Sequence, residues 1–77
     1  MPELAFHLTS EFIPLIQLLK FVGIAESGAQ AQELVMNGEV FCNQVQEFRK
    51  RYKVRAGDVI DCLEQTIRVY ASQDQKG

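Results

Sequence analysis

Between Pro14 and Gly38 the apolar residues of this chain recur every three or four positions, and from residue 39 they recur every second one. The first period belongs to helices and the second to strands. A chain with both must pack helices on a sheet, because neither face can stay in water. Seventy-seven residues support one core and no more. The pattern therefore predicts one α+β domain over residues 1–77. Two short packed helices lie against a small antiparallel sheet, the core spans about 3–71, and the polar tail "SQDQKG" frays.

The elements follow from local signals. "ELAFHLT", residues 3–9, alternates, with Leu4, Phe6 and Leu8 on one side, as a half-buried strand does. "PLIQLLKFV", residues 14–22, carries a stripe of Leu15, Leu18, Leu19 and Val22, with Pro14 suited to the first helical position and Gly23 to the stop. In "SGAQAQELVMNG", Ser27 and Gln30 have capping-box spacing, Ala31, Leu34 and Val35 face inward, and Gly38 ends the helix. The short link "GIAE" makes the two helices neighbours. "EVFCN", "EFRKRYKVR", "VIDC" and "TIRVY" read as strands, with "AGD" at 56–58 as a turn around Gly57.

The charge is unevenly placed. The net charge is -2, yet five of the eight Lys and Arg residues fall within positions 49–55: Arg49, Lys50, Arg51, Lys53 and Arg55. If residues 47–55 are extended, Arg49, Arg51, Lys53 and Arg55 share one face, and Phe48, Tyr52 and Val54 share the other. Alternate residues on a strand are roughly 6.5–7 Å apart, close to the phosphate spacing along a nucleic-acid strand. A solvated face guarding an edge strand is the structural alternative. Against it, three of the four residues are Arg, whose planar fork suits phosphate oxygens, and no acid interrupts residues 48–57. Four neutralised phosphates imply a log–log salt slope near about -3.

Other chemistries find little support. At 47% apolar the chain is too hydrophobic to be disordered, and no apolar run is long enough to span a membrane. The N-terminus lacks the charge pattern of a secretory signal, so a cytoplasmic location is expected. Cys42 and Cys62 read as buried reduced thiols, with a disulfide between them as the less favoured alternative. There is one His, no CxxC pair and no glycine-rich phosphate loop, so no catalytic residue, metal, cofactor or small-molecule substrate is expected.

The segment "GIAESGAQAQELVMNGEVFCNQ", followed by "AGDVI", resembles the RNA-binding domain named after protein S-four of the small ribosomal subunit. The likeness covers residues 14–62. The SGAQA helix start and the "RKRYK" stretch are similar to small stand-alone members called YbcJ-like proteins. The resemblance implies the alpha-L motif, two helices against a small antiparallel sheet, and structured RNA as partner, either ribosomal RNA or tRNA, with the ribosome or RNA-processing proteins as company. The wider family often has Arg where this chain has Pro14 and Gly28, Asp where it has Ile16, and a VNG turn where it has Cys42-Asn43-Gln44. The RNA-binding residues expected are therefore Arg49, Arg51, Lys53 and Arg55, flanked by Lys20 and Lys50, with polar contacts from Ser27 and Gln30. A helix-turn-helix DNA binder is a weaker reading, because residues 28–37 contain no Lys or Arg. An adaptor that docks an acidic protein on the same basic strand is the other alternative.

Overall fold

Two glycines with left-handed backbones end the two helices in the computed structural model, which describes residues 3–71. The tail expected to fray, from residue 72 on, lies outside the described residues. In chain order the elements are β1 (Glu3–His7), β2 (Ile13–Pro14), α1 (Leu15–Phe21), α2 (Gly28–Met36), β3 (Val40–Cys42), β4 (Val45–Gln46), β5 (Lys53–Val54), β6 (Val59–Cys62) and β7 (Gln65–Tyr70). The α+β reading holds.

The main sheet has the order β1-β7-β6-β3-β4. It is antiparallel from β7 to β4, and β1 joins β7 in parallel with Phe6 opposite Val69. A separate two-residue bridge pairs β2 with β5, Ile13 opposite Val54 and Pro14 opposite Lys53. The period of two places Val40, Cys42, Ile60, Cys62, Ile67 and Val69 in the core. Leu15, Leu18 and Leu19 of α1 and Ala31 and Val35 of α2 close over them, all fully buried. Truncating any of these leucines to Ala costs about 2–5 kcal/mol in a core of this kind.

α2 is set by its caps. Ser27 Oγ accepts the Gln30 N–H at 3.1 Å, while Gln30 Oε1 accepts the Glu26 N–H at 2.6 Å, so the reciprocal bond reaches one residue further back than a capping box usually does. At the other end the Gly38 N–H donates to Val35 O and the Glu39 N–H to Leu34 O, a Schellman motif. Gly38 has φ +79°, which favours glycine, and a Cβ there would lie 2.5 Å from Gln46 Nε2 and push the end of that side chain aside.

Both tight hairpins use two-residue loops with positive φ: Asn43 (54°) and Gln44 (71°) between β3 and β4, Leu63 (53°) and Glu64 (67°) between β6 and β7. This is the type I′ geometry that suits strand twist. Three of the four residues are poor at it, which hid the β3–β4 hairpin and β4 itself from the sequence pattern.

Two expectations are corrected. Pro14 is the N-cap of α1, extended at ψ 142° and bridged to Lys53, not the first helical residue. Residues 47–55 are not one strand. A turn closed by the Tyr52 N–H to Arg49 O bond at 3.2 Å interrupts them, and only Lys53–Val54 pairs as β5. The cause is α1. Its N-cap is a proline with no side-chain acceptor, so its first N–H groups need carbonyls from elsewhere. Tyr52 O accepts from Leu15 at 2.9 Å, and Lys50 O accepts from Ile16 at 3.3 Å. The basic segment folds back to cap the helix.

Candidate nucleic-acid interface

The turn at 49–52 spoils strict alternation but not convergence. Arg49, Arg51, Lys53 and Arg55 still line one shallow hollow of about 450 Å³, together with Tyr52. A second hollow of similar size, lined by Phe12, Pro14, Ile16, Gln17, Lys20 and Gly28, is also bordered by Arg51 and Lys53. These two residues are therefore the ridge that both hollows share. Among the described residues, neither lining contains an acid.

The cations are not equivalent. Arg49 is held by Glu47 through two bonds, Nε to Oε2 at 2.8 Å and Nη2 to Oε1 at 3.2 Å, and its guanidinium lies 5.3 Å from the Tyr52 ring centroid. Glu47 is 12% exposed and Arg49 73%, so the arginine covers an otherwise sheltered carboxylate. The bonds from Arg49 hold the Glu47 carboxyl below its ordinary value. Arg49 therefore lines the hollow as a largely exposed residue that is already paired with Glu47. Among the described residues, Lys20, Lys50, Arg51, Lys53 and Arg55 enter no ion pair.

The remaining expected residues are placed as follows. Lys20 lies in the second hollow with Arg51 and Lys53. Lys50 is exposed at the turn and lines neither hollow. Ser27 Oγ and Gln30 Oε1 are engaged in capping α2, and neither residue lines the hollows, though the adjacent Gly28 does. Phe48, expected on the hidden face, is 57% exposed, because the strand that was to hide it does not form. Val54 is buried and Tyr52 half-buried, as expected.

Asp58 anchors the segment. Its Oδ2 accepts the Arg55 N–H at 2.9 Å and the Tyr52 hydroxyl at 3.3 Å, and its Oδ1 accepts from Asn43 Nδ2 at 3.2 Å. Burial and the nearby Asp58 charge raise the Tyr52 phenol. The sequence pattern placed Asp58 only in the turn at 56–58, and it singled out neither Phe12 nor Gln17 for the interface. No periodic signal marks residues 9–13, and only the tertiary fold sets Phe12 beside Lys53, whose Nζ lies 5.1 Å from the ring centroid.

Among the described residues, no helix is long and apolar enough to cross a membrane, and no three His, Cys, Asp or Glu gather as a metal site. Cys42 and Cys62 are free and buried, and burial pushes their thiols up, to about 12 and about 11.

Residues 6–70 match the family model described as the S4 domain. The chain is 37% identical over 59 residues to the "Putative RNA-binding protein YbcJ" of Escherichia coli (strain K12), covering 77% of this chain and 84% of that protein. It has the same identity and coverage with the "Uncharacterized protein YbcJ" of Shigella flexneri. The match spans most of the chain, and the chain belongs to the S4 domain family.

Proposed function

We propose that this protein is a non-catalytic, cytoplasmic RNA-binding module that grips structured RNA, ribosomal RNA or tRNA, mainly by its backbone phosphates. The observation that carries the reading is the ridge of Arg51 and Lys53 between two acid-free hollows, with Lys20 on one side and Arg55 on the other. Exposed along a groove and in no ion pair among the described residues, such cations gain most from an anionic partner. The name of the Escherichia coli relative supports RNA as that partner. Phosphate contacts position a strand without reading its sequence, so selectivity comes from RNA shape. Ribosomal or RNA-processing assemblies are the setting in which a module of this size would work.

With Arg49 committed to Glu47, the free cations over the two hollows are Lys20, Arg51, Lys53 and Arg55. About four phosphates, and a log–log salt slope near about -3, still follow. The test is fluorescence anisotropy of a labelled RNA hairpin between 50 and 200 mM salt, with duplex DNA alongside. Arg51→Ala/Lys53→Ala should weaken hairpin binding and flatten the slope by about 1.4–1.8 while the circular dichroism stays unchanged. An unaltered slope, or tighter binding to duplex DNA than to the hairpin, would refute it.

A further inference from the structure

We infer that the hollow beside Phe12 accepts one unstacked base of the bound RNA, so that the module reads single-stranded bases as well as phosphates. This rests on the RNA-binding reading and goes beyond it. A site for phosphate alone has no use for an apolar floor. This hollow has one, made of half-buried Phe12, Pro14 and Ile16, under a rim that carries Gln17, Lys20, Arg51 and Lys53. A flat apolar ring joined to an anion is the ligand that fits such a pairing, and a nucleotide is that ligand. Its volume, about 450 Å³, falls within the range of small-ligand sites, roughly 300–1,000 Å³.

The geometry also supplies a path. Arg51 and Lys53 border both hollows, so a strand whose phosphates cross this ridge brings the neighbouring base to the mouth of the Phe12 hollow. Lys53 Nζ now lies 5.1 Å from the Phe12 centroid. At an exposed site that cation–π contact is worth about 2- to 5-fold in an equilibrium, whereas stacking a base on an aromatic side chain is worth about 5- to 150-fold. The base therefore displaces the ammonium from the ring, and the ammonium moves to a phosphate. The Gln17 amide offers two donors and an acceptor to the base edge.

The experiment uses the full chain and two labelled hairpins with one stem: one with an eight-adenosine loop, the other with an abasic loop carrying the same backbone charge. Wild type should bind the adenosine loop about 5- to 150-fold more tightly. Phe12→Leu, which keeps an apolar contact, should lose that preference with its salt slope unchanged, and Phe12→Trp should retain it. If Phe12→Leu fails to fold, Gln17→Ala serves instead, with a partial loss expected. Equal binding of the two hairpins by wild type overturns the base site and leaves phosphate binding standing. A preference that survives both Phe12→Leu and Gln17→Ala places the base elsewhere and also overturns it. Binding of neither hairpin at 50 mM salt removes the RNA-binding reading, and the base site falls with it.

Discussion

Asn43 and Asp58, fifteen residues apart, are joined side chain to side chain: Asn43 Nδ2 donates to Asp58 Oδ1 at 3.2 Å, while Asn43 Oδ1 accepts the Val59 N–H at 2.9 Å. One residue sits at the tip of the β3–β4 hairpin and the other at the turn into β6. Because Asp58 also holds Tyr52 and the Arg55 N–H, a single carboxylate fixes the far end of the basic segment against the sheet. Asp58→Ala should therefore lower stability by about 1–3 kcal/mol, measured by urea unfolding, since several donors lose one acceptor together. A loss below about 0.5 kcal/mol would show that water replaces the carboxylate at no penalty.

Gln44 occupies a left-handed position that L residues other than Asn and Asp adopt at a cost of about 1–2 kcal/mol. Gln44→Gly should stabilise the protein by about 0.5–1 kcal/mol once the greater freedom of glycine in the unfolded chain is subtracted. A rise in the urea midpoint at constant m-value is the expected reading.

Gly38→Ala acts in the opposite direction. The added Cβ meets Gln46 Nε2 and the backbone holds φ at +79°, so both the Schellman motif and the Gln46 bond to Gly38 O at 2.9 Å are strained. A loss of about 1–2 kcal/mol is expected. Gly23, also at positive φ but with open space around it, should lose less than Gly38 when replaced by Ala.

Arg49 separates structure from binding. In Arg49→Ala, RNA affinity should fall less than in Arg51→Ala, because Arg49 is already neutralised by Glu47. The stability profile with pH should change more. The Glu47 carboxyl titrates below its unfolded value of about 4.3, so its contribution is complete above that pH and is lost as the pH falls through the folded value. Thermal unfolding between pH 3 and 6 should show a steeper acid loss in wild type than in Arg49→Ala. Parallel curves would mean that the pair adds nothing to the fold.

Cys42 and Cys62 should resist alkylation at pH 8 in the native protein and react fully after denaturation. Burial keeps both thiols protonated, at about 12 and about 11. Rapid labelling of either one in the folded state would contradict the packing of β3 against β6.

What the sequence by itself determined were the features encoded within a few residues of each other. The 3.6 period of the helices, the 2.0 period of β1, β3, β6 and β7, the Ser27 cap, the Gly23 and Gly38 stops and the Gly57 turn each depend on local sterics, and each stands where its residues put it. The concentration of positive charge at 49–55 is likewise local, and so is its sign. What those cations face was decided only by the tertiary structure. The basic segment bends because α1, capped by a proline, takes the Lys50 and Tyr52 carbonyls. Arg49 meets the candidate face already paired because Glu47 is sheltered beneath it, and Lys20 and Phe12 join that face because α1 and β2 dock beside β5. Hydrogen-bond satisfaction and ion pairing between distant segments leave no period in the chain, so these placements exist only once it has folded.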